Sequence, residues 1–189
     1  MSEEIEKLRG QNFTSKRDIR LFKEWDMIDQ RFRYGKDKHV EYYIRKTNGS
    51  GLPIVYEFHF KNFKTIIGIN ESDQTPIFGK EHVMRITLPN DYPAKGKESD
   101  PEFKFTTPVW HPQVQFYGAK ELIGIVCVTQ EAHGAYTSLV HYIDWIVDFL
   151  LYEDYNANAE IEPFPRDFTV ARWVREQAEP NNWLNFTQD

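Results

Sequence analysis

The sequence predicts an α+β domain: an N-terminal helix, an antiparallel four- or five-stranded meander, a long irregular stretch, a central buried helix and a C-terminal helix. Three observations predict it. Apolar residues recur at helical spacing in two separated segments, 15–33 and 138–152. Between residues 40 and 105, short runs rich in Tyr, Phe, Ile, Val and Thr are separated by turn signals. The helix and strand signals are segregated along the chain, the pattern of helices packed against one sheet, which disfavours a βαβ nucleotide fold. The 189 residues, 40% hydrophobic and 15% aromatic, supply one well-filled core.

The first element is expected to be a helix from about Ser15 to Arg33. Leu21, Trp25, Ile28 and Phe32 fall within about 60° of one another at about 100° per residue, so that stripe faces a core. Lys16, Arg20 and Lys23 gather on the opposite side, which on spacing alone reads as a solvated basic face. The runs VEYYIRK, LPIVYEFHF, KTIIGI, EHVMRITLP and PEFKFTT follow, with NGSG as the first break, and read as the strands of the meander. Thr107 to Thr137 is long for a structureless connection and reads as a functional or Ω-like loop. Leu139, Ile143, Ile146 and Leu150, widened by Val140, Val147 and Leu151, predict a largely buried helix over Ser138 to Tyr152. A last helix is expected after Pro165, running to about Gln177 and burying Phe168, Trp173 and Val174 or a subset of them.

Composition excludes several classes of function. A net charge of −6 leaves no electrostatic footprint for nucleic acid or an anionic membrane surface. The single cysteine, Cys127, excludes an internal disulfide and a CxxC metal ribbon, and suits a reducing compartment such as the cytoplasm. The opening MSEEIEKLRG has no apolar core of a secretory signal, so the N-x-T triplets at Asn12 and Asn185 are read as chance matches. The richest apolar stretch, Ile143 to Leu151, is interrupted by Asp144 and Asp148 and is too short to span a bilayer. With no repeat or linker, the expected organisation is an N-terminal extension over 1–14, one domain over 15–178 and a tail over 179–189. No cofactor is expected. His141, Asp144 and Asp148 would share one helix face as metal ligands do, and are read as a polar stripe.

The order of these signals resembles the ubiquitin-conjugating enzyme family. The matching residues are Asp91, Tyr92 and Pro93 after a strand; Thr106, His111 and Pro112 after the next; and the short apolar approach Gly124 to Cys127. Tyr136 matches the aromatic that the family places past its cysteine, and the helix from Ser138 matches its central helix. The resemblance covers about Ser15 to Gln177 in element order and Leu88 to Leu151 in motifs. Gln113 stands where the family has asparagine, and the 16-residue interval from His111 to Cys127 is longer than the family's. Such divergence resembles the conjugating enzymes of bacterial ubiquitin-like modification and antiviral defence operons.

The resemblance implies that Cys127 accepts the C-terminal acyl group of a ubiquitin-like modifier from an activating enzyme and passes it to an amine on a target protein. It implies that His111 fixes the loop, and that Lys16, Arg20 and Lys23 belong to a helix that docks the activating enzyme. For Gln113 two roles stay open, a donor to the developing oxyanion or a loop support, with Asn156 or Asn158 as substitutes. His133, six residues past the thiol, is either a gate or a solvated loop residue. Glu131, Glu153, Asp154 and Glu160 are the acids available to assist the incoming amine. Two other readings compete: a catalytically inactive binding module on the same fold, and a cysteine hydrolase pairing Cys127 with His133 or His111.

Overall fold

The computed structural model describes residues 3–33, 37–94, 100–128, 138–162 and 164–187. Two helices open the chain, α1 (Glu3–Arg9) and α2 (Lys16–Phe32). Four strands follow, β1 (Val40–Thr47), β2 (Pro53–Ile69), β3 (Pro76–Thr87) and β4 (Glu102–Phe105). After a long connection come α3 (Leu139–Leu150) and α4 (Phe168–Trp173), the latter continued by a π-helical turn, Val174–Ala178. The strands form one antiparallel sheet in the order β1-β2-β3-β4. No described helix is long and apolar enough to cross a membrane.

Helix α2 forms where its stripe predicts it. Ser15 caps its N-terminus by accepting the Asp18 backbone N–H, and Leu21, Trp25, Ile28 and Phe32 are all buried against the sheet. It is not the first element: α1 precedes it and buries Ile5 completely in the same core. Two apolar residues, Ile5 and Leu8, are too few to show a helical period over seven positions.

The strands alternate inward and outward in the manner of a half-buried sheet, with Tyr56, Phe58 and Phe60 of β2 facing in beside Met84 and Ile86 of β3. The runs LPIVYEFHF and KTIIGI are one strand, not two. The register with β3 slips between Lys61 and Thr65, where Asn62 adopts φ 58°, and then resumes, so a bulge takes the place of the expected turn. The β1–β2 turn is closed by Asn48, whose side-chain oxygen accepts the N–H groups of Ser50 and Leu52.

Helix α3 starts at its Ser138 cap and packs Leu139, Ile143, Ile146, Phe149 and Leu150 onto the sheet, with Phe149 stacked on Phe105 at 6.4 Å between centroids. This first core joins α1, α2, the sheet and α3. A second, smaller core gathers Ile66, Trp110, Tyr152, Ala157, Val170, Ala171, Trp173, Val174 and Ala178, with Trp183, Leu184 and Phe186 packed against it. Of Phe168, Trp173 and Val174, the helix buries the last two and leaves Phe168 60% exposed. At 100° per residue Phe168 lies about 160° from Val170 and about 120° from Val174, both buried.

Two buried carboxylates tie α2 to its surroundings. Asp29 accepts from the Tyr42 hydroxyl at 2.8 Å and pairs with Arg33 at 2.6 Å. Glu24, with no exposed surface, accepts from the Tyr92 hydroxyl at 3.0 Å, pairs with Arg20 at 2.6 Å, and accepts the backbone N–H of Leu139 at 2.8 Å. It therefore caps α3 from another helix, where the unsatisfied N–H groups and the helix dipole both favour a negative charge.

Candidate active site around Cys127

The thiol is carried by a segment that folds back on itself. Leaving β4, the chain passes Pro108 to Val114, loops out through Gly118 to Leu122, and returns as the apolar stretch Ile123 to Val126. The return stretch is extended and pairs on both sides. Phe105 N–H donates to Gly124 O at 2.8 Å and Val126 N–H to Phe103 O at 2.9 Å, on the β4 side. On the other, Gln115 N–H donates to Ile125 O and Cys127 N–H to Gln113 O, at 2.9 and 2.8 Å. The 113–127 segment is thus an Ω-like loop with a short antiparallel stem.

Gly124 makes that close pairing with β4 feasible. It has φ +84°, and a Cβ there would lie 2.0 Å from the Phe105 carbonyl oxygen, so no other residue fits without moving backbone.

Cys127 ends the stem. Its backbone is held by Gln113, and its side chain is partly exposed with no hydrogen-bond partner among the described residues. Gln113 is 3% exposed. Its side-chain N–H donates to Asn156 O at 2.7 Å, and its side-chain oxygen accepts Asn156 N–H at 3.4 Å. The amide joins the loop to the segment after α3. Asn156 is committed as well, donating from its side chain to Ile161 O and accepting from Asn158 N–H; Asn158 in turn accepts from Glu160 N–H.

His111 is completely buried with its ring 3.6 Å from that of Phe149, centroid to centroid. Its Nδ1 accepts the Gln113 N–H at 3.2 Å, and burial pushes its pKa well below the ordinary histidine value. The buried ring holds the next turn of chain through that bond. His133, Glu131 and Tyr136 lie outside the described residues.

The loop is fastened from the C-terminal side. Asp167, 4% exposed, accepts from Phe116 N–H and Tyr117 N–H through one carboxylate oxygen, at 2.9 and 2.8 Å. Through the other it caps α4 by accepting from Thr169 and Val170. The backbone N–H groups of Arg166 and Asp167 both donate to Pro112 O. Tyr152 donates its hydroxyl to Trp110 O. Sequence reasoning missed Asp167, although an Asp directly before FTVARW is an N-cap signal.

The remaining candidates fall into two groups. Asp154 accepts the indole N–H of Trp145, and Glu153 and Glu160 are exposed. Asp148 has its pKa raised, by partial burial first and then by Asp154 and Asp144. His141, Asp144 and Asp148 do not converge: Asp144 pairs with Arg31, and no group of three metal-ligating side chains is assembled among the described residues. On α2, Lys16 and Lys23 are exposed, whereas Arg20 turns inward to Glu24 and the Tyr92 hydroxyl. Ile19 and Met27, 39% and 36% exposed, share the lysine side of the helix. Residues 121–189 contain no lysine, and Arg166 is the first arginine in that stretch.

No family model matches the sequence. Among solved structures the chain is similar to human ubiquitin-conjugating enzyme E2 G1, at 16% identity and a TM-score of 0.46, over 74% of this chain and 98% of that one.

Proposed function

We propose that the protein is a conjugating enzyme for a ubiquitin-like modifier, with its conjugating domain over 15–178 and Cys127 as the acyl carrier. The observation that carries this reading is the placement of Cys127. The chain's one thiol stands partly exposed at the end of a stem pinned by both β4 and Gln113, with nothing described to engage its sulfur. A structural cysteine would sit inside one of the two cores. Support comes also from order: helix, meander, Tyr92–Pro93, buried His111, thiol loop and central helix follow one another as the resemblance implies.

The chemistry requires no cofactor. The Cys127 thiolate attacks the acyl carbon of a thioester on the activating enzyme, whose own thiol leaves; an amine then attacks the new thioester and Cys127 leaves as thiolate. Sulfur serves as both nucleophile and leaving group. The basic and apolar side of α2, with Lys16, Lys23, Ile19 and Met27, is the docking face for the activating enzyme. Arg20 supports that face from beneath through Glu24.

Incubation with activating enzyme, ATP and modifier is expected to give a thiol-sensitive adduct. Persistence of that adduct in Cys127→Ala sinks the assignment.

One observation favours the inactive binding module as a second reading: the Gln113 side chain is 3% exposed and is held at both ends of its amide by Asn156. Alkylation of the native protein by iodoacetamide separates the two, because a carrier thiol reacts and a protected one does not.

A further inference from the structure

The stretch that ends in the thiol runs antiparallel to β4, and its backbone bonds fix the register. Lys104 lies opposite Ile125, Phe105 N–H donates to Gly124 O, and Val126 N–H donates to Phe103 O. One residue further along both segments, Cys127 comes opposite Glu102, the first residue of β4. The backbone groups agree with that pairing. Glu102 is paired with Thr87 of β3, while Cys127 N–H turns the other way, to Gln113 O. Glu102 and Cys127 therefore form a pair without hydrogen bonds between them, the kind whose side chains stand closest, with Cβ atoms about 5 Å apart.

Both side chains leave on the same side. Phe103 and Phe105 of β4 and Val126 of the return stretch are buried in the first core. Alternation then puts Glu102 and Cys127 together on the outer face. Glu102 is exposed, and no described residue bonds or pairs with its carboxylate. Lys104, next on that face, is tied instead to Glu121 O at 2.5 Å. The acids weighed from the sequence are placed differently: Asp154 is held by the Trp145 indole, and Glu153 and Glu160 lie on the segment after α3.

We infer that Glu102 is the base that takes the proton of the incoming amine, an inference that rests on Cys127 being an acyl carrier. The amine nitrogen bonds to the thioester carbon, and its proton passes to the Glu102 carboxylate. The C–S bond breaks with its electron pair going to sulfur, and the carboxylic acid then returns the proton to solvent. The acceptor class is a primary alkyl amine, which is cationic before it reacts and is drawn to the carboxylate in that form.

The juxtaposition is tested apart from activity. In Glu102→Cys the chain holds two thiols, and opposed positions in such a pair lie within disulfide reach. Oxidised glutathione is expected to close an intramolecular disulfide to Cys127 in the folded chain; if none forms, the inference fails. The chemistry is tested on the full chain loaded by acyl exchange from the mercaptoethanesulfonate thioester of acetyl-Gly-Gly, so that no activating enzyme is needed. Wild type and Glu102→Gln are expected to load equally. Discharge to free lysine is expected to fall about a hundredfold in Glu102→Gln. Discharge to hydroxylamine, whose nitrogen is largely unprotonated at neutral pH, is expected to be unchanged. Equal discharge to lysine, an equal loss with both nucleophiles, or a variant that does not load each overturns the role of Glu102 and leaves the carrier reading standing. A wild-type thiol that does not load at all overturns the carrier reading together with this one.

Discussion

The two cores of this protein are built by different means. The first is periodic: α2 and α3 lay continuous apolar stripes across a sheet whose residues alternate, and nearly every buried side chain is apolar. The second sits under irregular chain, and its geometry is set by a few buried polar side chains bonded to backbone: Asp167 to four N–H groups, Gln113 to Asn156, Tyr152 to Trp110. The first kind of core tolerates exchange of one apolar residue for another of like volume. The second has no such redundancy, because each bond fixes one turn of loop. The thiol hangs from both: Val126 and Val128 beside it pack in the first core, and its backbone is bonded to Gln113.

That contrast can be broken at its strongest point first. Trp25→Ala, in the periodic core, is expected to cost about 4 kcal/mol of stability by leaving a large cavity. It should leave the alkylation rate of Cys127 in the native state unchanged. Asp167→Ala is expected to cost about 3 kcal/mol, because buried N–H groups on two segments lose their acceptor. It should also alter the alkylation rate of Cys127. Equal alkylation in the two variants would show that the loop is held by something other than these polar bonds.

Gln113→Ala tests a single brace. It is expected to cost about 2 kcal/mol, the loss of a buried amide's bonds to Asn156, measured as a shift in urea midpoint. If Gln113 acted only on an oxyanion, stability would hold and acyl transfer alone would fall.

Acid acts more gently, through two buried histidines. Burial lowers the pKa of His111 well below 6.5 and also lowers that of His82, on β3. As pH falls, the unfolded chain therefore takes up protons that the native chain refuses. Stability is full above about pH 6.5 and declines below it, by at most about 1.4 kcal/mol per pH unit for each ring. Urea midpoints that stay flat from pH 7.5 to 5.5 contradict this. Smallest is Ser138→Ala: loss of the N-cap of α3 is expected to cost about 1 kcal/mol, with Glu24 still holding the Leu139 N–H.

The same division separates what could be read from the sequence from what could not. The stripes of α2 and α3 were legible because a helix repeats its environment every 3.6 residues. Strand β2 was read as two because Asn62 and its polar neighbours look like a turn, whereas the ladder to β3 carries the chain through as a bulge. Which of Phe168, Trp173 and Val174 are buried was left open, and the side of α4 that each occupies decides it. At the site, Cys127 stood out as the only thiol in a recognisable order of elements. The role of Gln113 stayed open because its partner is 43 residues away, and the roles of Asp167 and Glu24 escaped notice because their partners lie 50 to 115 residues off. Such pairings follow from tertiary structure and leave no local period to detect.

The absence of lysine after position 120 has a consequence for any acyl group carried on Cys127. A thioester is consumed by whichever amine reaches it first, and an amine on the same molecule competes at an effective concentration no external acceptor matches. Here the stem's far end, α3, the 152–167 segment and α4 all surround the thiol's loop without presenting one ε-amino group. If the chain is loaded as proposed, composition rules out automodification from that side, and the ε-amino groups nearest along the chain are those of Lys120 and of Lys104, which donates to Glu121 O.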